Sequence, residues 1–373
     1  MERSLPISSR IVEQGTYRHN NSNNNRCCEQ FFIKGEDMAV VFGFAFILIA
    51  SFLQGSFYLP GTYTKKWEWE HTWTFFSLFG MIIFSWLFII STVPNIFSVY
   101  SSASSKDIVV LLVFGGLWGI GAICNGLAMD RLGMALAFPI VLGTVSALGA
   151  LIPLIVFFPS DLFTLRGLVL ILGIVVVVIG IVLCSRAYAH KESPSESSQP
   201  GKGTFAVNLA IAITAGVMSS LLNVGFAYGK GLIQVAESMG ISGVFSANAA
   251  WALILTAGGI VNILYCFYLM AAHGTFKGFF IAEGPRNSGL GTLMGLIWCG
   301  GLYMYGLGAA NLGELGVVVG WVIFMTIIII VGNLWGIFRG EWEGAHPSAR
   351  ALLNRGMSML IIAIIIVALS NTL

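Results

Sequence analysis

Leu168 to Leu183 reads LVLILGIVVVVIGIVL without one charged side chain, and Gly316 to Val331 reads GVVVGWVIFMTIIIIV, equally uncharged. A helix needs roughly 20 predominantly apolar residues to cross a hydrocarbon core, and each of these runs is the centre of such a helix. The rest of the chain repeats the pattern. Comparable runs fall near 39–59, 73–93, 108–129, 133–158 and 167–185, and after a polar break near 205–226, 244–270, 288–309, 314–338 and 352–371. No ten-residue segment alternates apolar and polar side chains, so a membrane β-barrel is excluded. The expected fold is an all-α membrane protein of ten transmembrane helices.

Composition agrees. Of 373 residues, 57% are hydrophobic and 10% charged, with mean hydropathy +0.86. Soluble domains carry about 25% charged residues, so lipid must be the solvent for most of this surface. The formal net charge of +2 gives no footing for a nucleic-acid partner. The 45 glycines suit helices whose backbones approach closely in a bilayer. Cys124, Cys184, Cys266 and Cys299 stand singly in apolar runs and Cys27 and Cys28 are adjacent in a polar stretch, a pattern of apolar fillers rather than a disulfide or zinc framework. Residues 1–37, with the Asn/Ser run Asn20 to Asn25, are expected to form a disordered polar tail, and Met38 directly precedes the first apolar run.

Orientation follows the Lys and Arg of the loops. The loops after spans 1, 3, 5, 7 and 9 hold eleven, those after the even spans hold three, and the tail holds five. Without the tail this puts both termini outside the cell; with it the comparison narrows to eleven against eight.

The chain also repeats itself. Gly115 to Gly133 reads GGLWGIGAICNGLAMDRLG and Gly295 to Gly313 reads GLIWCGGLYMYGLGAANLG. At a constant offset of 180 the pairs Gly115/Gly295, Trp118/Trp298, Gly121/Gly301, Gly126/Gly306, Leu127/Leu307, Leu132/Leu312 and Gly133/Gly313 match. Span 3 then corresponds to span 8. Residues 38–185 and 204–373 are expected to be two five-helix repeats joined by the hydrophilic linker 186–203. Because five is odd, the second half enters the membrane from the opposite side. Such inverted repeats hold a substrate near the midplane between halves and work by alternating access.

Gln54-Gly-Ser-Phe-Tyr-Leu-Pro60 followed by Lys65-Lys-Trp-Glu-Trp-Glu70 resembles the first helix and loop of the L-rhamnose–proton symporter family. So do Gly116-Leu-Trp-Gly-Ile-Gly121 with Asn125-Gly-Leu and Leu132-Gly-Met, and Trp321 with Met325-Thr326, Asn333-Leu-Trp-Gly336 and Glu341-Trp342. The order holds across nearly the whole chain from Met38. That family belongs to the drug/metabolite transporter superfamily, with ten helices in two inverted five-helix repeats. The resemblance implies a cell-membrane, multi-pass carrier (in the inner membrane of a Gram-negative source) that takes up L-rhamnose or a similar monosaccharide with protons. A carrier of the same fold for another sugar, metabolite or drug stays open, as does a non-transporting membrane receptor or scaffold.

A sugar requires hydrogen-bonding groups for its hydroxyls and aromatic faces for its C–H surface. Gln54 and Tyr58, four apart, are expected to share a face of span 1, and Ser219 and Asn223 a face of span 6. Trp118 and Asn125 share a face of span 3, and the repeat sets Trp298 and Tyr305 opposite them. These eight are the substrate-binding candidates. Ser220, Asn248, Asn262, Asn333, Trp251, Tyr303 and Trp321 are further intramembrane polar or aromatic groups, and each has a plain alternative as interhelical glue worth about 0.6 kcal/mol. Proton coupling calls for a carboxylate or His in the membrane, yet no Asp, Glu or His falls mid-span, and all five histidines (His19, His71, His190, His273, His346) read as lying outside the spans. Glu314, at the expected start of span 9, is the first candidate and Asp130, in the turn after span 3, the second. Their plain readings are a carboxylate favoured by a helix dipole and a loop couple with Arg131.

Enzyme chemistry finds no footing. Gly240-Ile-Ser-Gly243 lacks a histidine within reach, and Gly201-Lys-Gly-Thr204 lacks the spacing of a phosphate-binding loop. No cofactor or metal is implied.

Overall fold

A computed structural model describes residues 38–132, 134–191 and 205–373. Among them are ten helices long and apolar enough to cross a membrane, and no strand. They are α1 (Met38–Tyr63), α2 (Trp69–Thr92), α3 (Ser105–Met129), α4 (Pro139–Phe157), α5 (Leu165–Lys191), α6 (Phe205–Ser238), α7 (Ala249–His273), α8 (Gly284–Asn311), α9 (Gly316–Phe338) and α10 (Pro347–Ser370). The chain divides into two units, Met1–Phe42 and Gly43–Leu373. Of the first, only 38–42, the opening of α1, is described; the packing below is that of the second.

Helix ends depart from the hydropathy reading for local reasons. α1 gives way to a 3-10 turn over Leu59–Tyr63 with Pro60 near its start. Helix continues from α3 through Asp130 and Arg131 to Leu132, where a turn was expected. α5 runs on to Lys191 through residues assigned to the hydrophilic linker, because Arg and Lys stems cover apolar surface while their heads reach water. α7 begins at Ala249, after a separate short turn Gly243–Ser246, rather than at 244. α9 begins at Gly316, so Glu314 precedes it instead of opening it. His71, His190 and His273 fall within the terminal turns of α2, α5 and α7, correcting their assignment to loops. The tail, its cysteines and 192–204 lie outside the described residues.

Packing pairs the helices in a pattern that survives adding five to each number. α3 lies on α6 and α7, and α8 on α1 and α2; α4 meets α5 and α6, and α9 meets α10; α5 lies on α10, α4 on α9 and α2 on α7. Two repeated glycines make the close approaches. A Cβ on Gly115 would overlap the Ile254 carbonyl of α7, and one on Gly295 would stand 2.6 Å from the Gly80 nitrogen of α2. A Cβ on Gly121 would stand 2.6 Å from Ser219 N of α6, and one on Gly301 3.1 Å from the Ala50 carbonyl oxygen of α1. Lipid offers no hydrophobic drive for helices to associate, so such backbone proximity and the dispersion it permits hold them together. In α2 the residues Ser77–Ile83 widen into a π-helix where Gly80 meets Gly295, an irregularity that helices often carry at functional places.

Candidate functional site

A cavity of about 320 Å³ opens between α1, α4, α5 and α9, within the roughly 300–1,000 Å³ of small-molecule sites. Its walls are largely apolar, with Phe57, Leu142, Ile328 and Ile329, and its polar groups are Gln54, Ser185, Tyr188, Asn333 and Glu341. These sit toward the C-terminal ends of α1, α5 and α9, so the cavity faces the side of the loops after odd-numbered helices. Ser185 Oγ and Asn333 Oδ1 are buried and have no hydrogen-bond partner among the described residues. A buried polar atom without a partner costs about 1–3 kcal/mol; two in one cavity wall leave hydrogen-bonding capacity for a polar ligand.

Gln54 connects the cavity to the centre of the bundle. Its Nε2 donates to the Trp298 carbonyl at 2.9 Å. Trp298 and Trp118, the tryptophans of the repeat, stack with centroids 5.8 Å apart and planes 15° from parallel. Both stand near the midpoints of their helices, and Phe76 closes edge-on over Trp298 at 5.4 Å. Asn262 of α7 joins this region, accepting from Trp73 Nε1 at 2.9 Å.

On the other side of the tryptophans lies a cluster of buried, hydrogen-bonded side chains, and the second cavity described below reaches it at Phe226 and Val317. Tyr305, wholly buried, donates to Asn223 Oδ1 at 2.6 Å, while Asn223 Nδ2 donates to the carbonyls of Gly149 at 2.8 Å and Val317 at 3.2 Å. Trp321 Nε1 donates to the Val145 carbonyl at 3.1 Å. Trp251 stacks on Phe226 at 4.3 Å, and Phe324 on Tyr305 at 4.7 Å. One flaw remains in this cluster. Trp251 Nε1 and Asn248 Oδ1 have no hydrogen-bond partner among the described residues and both face Gly306.

Of the eight residues expected to bind substrate, the structure brings together Gln54, Trp118 and Trp298 at the centre and Asn223 with Tyr305 in the buried cluster. Gln54 alone borders the cavity. Tyr58 is 45% exposed, because α1 loses α-helical pitch after Ser56 and the four-residue spacing no longer aligns it with Gln54. Asn125 is half-buried with its Oδ1 unpartnered, and Ser219 meets α3 through its backbone at Gly121. Glu314 borders a second cavity of about 460 Å³ on the opposite, even-loop side, with Lys230 and Glu237. Asp130 lies in the helix extending α3, and its side chain is outside the described set.

The sequence reading missed Ser185, Tyr188 and Glu341, which it placed at or beyond span ends. Nor did it find the titratable cluster at the start of α2. Glu70, nearly buried, accepts from Thr275 Oγ1 at 3.0 Å with His273 Nδ1 at 3.6 Å, and buried His71 Nε2 lies 2.8 Å from the Thr275 carbonyl. Nearby on the surface Lys66 reaches Glu283 at 2.7 Å, and that hydrogen bond holds the Glu283 carboxyl below its usual range. These contacts clip the α1–α2 loop to the α7–α8 loop beside the cavity's side of the membrane.

A family model described as L-rhamnose-proton symport protein matches residues 36–372. An L-rhamnose-proton symporter of Shigella dysenteriae is 28% identical over 342 residues, covering 89% of this chain and 98% of the relative. One of Yersinia pestis is 27% identical over 338 residues, with the same coverage.

Proposed function

The chain belongs to the L-rhamnose-proton symport protein family, and on that premise we propose that it carries L-rhamnose together with a proton by alternating access. It is a multi-pass membrane protein and a transporter, not an enzyme. The relatives named as L-rhamnose-proton symporters match along nearly their whole length, which supports the same substrate pair here. The halves 38–185 and 204–373 act as inverted repeats of the drug/metabolite transporter kind, and what favours this is that helix contacts recur on adding five and that Trp118 and Trp298 meet face to face.

The observation that carries the reading is the unequal hydrogen bonding of the two sides, each of which has a cavity at its mouth. A cavity with unpartnered Ser185 and Asn333 lies on one side of the tryptophan pair, while Asn223 and Tyr305 are fully engaged on the other. Carriers that alternate access are open on one side and closed on the other, with substrate held near the midplane. By the distribution of Lys and Arg the open side is cytoplasmic. Gln54, Trp118 and Trp298 form the inner wall of the sugar site, Asn223 and Tyr305 the closed gate with Ser219 at its edge, and Tyr58 and Asn125 contact sugar only as the helices shift. Glu314, at the mouth of the opposite cavity, receives protons from outside, with Asp130 second to it. The test is uptake of labelled L-rhamnose into proteoliposomes with and without an inward proton gradient. Gradient-dependent accumulation is expected. Absence of uptake contradicts it, and stronger competition by another unlabelled sugar reassigns the substrate.

A further inference from the structure

Among the residues lining the open cavity there is one acidic group, Glu341, and its position is built by the end of α9. Gly340 N–H donates to the Ile337 carbonyl at 3.1 Å and Glu341 N–H to the Gly336 carbonyl at 3.0 Å, with Gly340 at φ +78, the Schellman pattern of helix termination. That turn folds Glu341 back along α9. Its Oε2 lies 3.1 Å, and the Tyr188 hydroxyl 3.5 Å, from the point where a Cβ on Gly336 would stand. Only glycine leaves that space to the carboxylate and the phenol. Buried Trp342 pins the turn: its carbonyl accepts from Arg350 of α10, and its ring meets Tyr188 at 5.0 Å.

Among the described residues Glu341 forms no ion pair. The charged groups facing this corner are Lys191 of α5, whose Nζ lies over the Tyr188 and Trp342 rings at 5.7 and 5.3 Å, Arg350 of α10, and Glu343 of the same turn. Glu341 is exposed in this open arrangement, and closing the cavity around sugar with it ionised would bury an unpaired charge, which is costly. One proton taken up from water gives a neutral carboxylic acid that both tolerates burial and donates a hydrogen bond to a sugar hydroxyl. Without sugar, a shift of the Lys191 ammonium from the Tyr188 and Trp342 rings onto the same carboxylate would neutralise it, so the empty carrier closes unprotonated. Either neutral state turns over; a singly loaded state does not.

Resting on the sugar-carrier reading above, we propose that Glu341 is the group that binds the co-transported proton at the open cavity, one proton for each sugar. The experiment compares Glu341→Gln and Glu341→Asp with Glu343→Gln, a matched change on the same turn outside the cavity. In proteoliposomes, counterflow of labelled L-rhamnose needs no proton gradient, whereas net accumulation does. Glu341→Gln is expected to retain measurable counterflow while the ratio of accumulation to counterflow falls about tenfold, within the usual range of coupling. Its sugar-induced thermal stabilisation should lose its pH dependence. Glu341→Asp should restore part of both, and Glu343→Gln should resemble the unaltered protein. Unaltered accumulation in Glu341→Gln, or equal loss of counterflow and accumulation, overturns the proposal. No counterflow in the unaltered protein overturns the sugar reading itself.

Discussion

Gln54 in α1 and Asn223 in α6 are buried amides on helices five apart in the chain, yet they stand in opposite circumstances. Gln54 makes one hydrogen bond, to Trp298, and borders a cavity. Asn223 makes three, to Tyr305, Gly149 and Val317, and is fully buried. The same side-chain chemistry thus serves once as a wall with spare bonding capacity and once as a bolt. The buried cluster around Asn223, however, contains the unpartnered Trp251 N–H and Asn248 oxygen, and the cavity contains unpartnered Ser185 and Asn333. Each side keeps a deficit that a different arrangement can repair. A carrier needs this near balance, because an equilibrium moves only as far as the ligand's difference in affinity for the two states.

Breaking the buried cluster should cost most. A Cβ on Gly149 would overlap the Trp321 indole, so Gly149→Leu drives α4 from α9, and no monodisperse protein is expected on size-exclusion chromatography. Asn223→Leu removes three bonds at about 0.6 kcal/mol each, roughly 2 kcal/mol in all, and should lower the apparent Tm by several degrees. Gln54→Leu should barely change Tm, since it removes one such bond, but should reduce L-rhamnose uptake about tenfold by leaving a sugar hydroxyl without its partner. Equal Tm losses for Asn223→Leu and Gln54→Leu would erase the contrast between wall and bolt. The smallest effect belongs to the rim of the open side. The Lys66 bond depresses the Glu283 carboxyl, so its stabilisation is present above the ordinary carboxylate range and lost as pH falls through the depressed value. Lys66 is largely exposed and Glu283 only part-buried, so Lys66→Ala should leave Tm at pH 7 unchanged within error; destabilisation that grows toward low pH would contradict that sign.

Hydropathy alone located the ten helices, since a run such as Gly316 to Val331 has no other stable place than lipid. The matched glycines at offset 180 mark close helix approaches, while the matched tryptophans, expected to face each other as substrate-binding residues, stack on one another. Helix ends were the weak point. Ser185, Tyr188 and Glu341 lie where apolar runs fade into polar ones, and there a snorkelling Arg186 or Lys191 looks like loop in sequence but continues a helix in space. Tyr58 shows the converse: regular spacing implies a shared face only while the pitch holds, and Pro60 with the 3-10 turn ends that. Glu70 and His71 read as loop residues for the same reason, although the chain folds α7 and its loop over them.

Thiol accessibility tests the inequality of the two sides most directly. In a variant freed of native cysteines, Tyr188→Cys, at a half-buried position in the cavity wall, and Asn223→Cys are treated with a membrane-impermeant thiol reagent from each side of oriented vesicles. With neither sugar nor gradient, Tyr188→Cys should react from the side of the odd-numbered loops, and Asn223→Cys from neither. L-rhamnose with protons should protect Tyr188→Cys and expose Asn223→Cys to the opposite side. Equal reactivity of Asn223→Cys with and without sugar and protons would contradict the account.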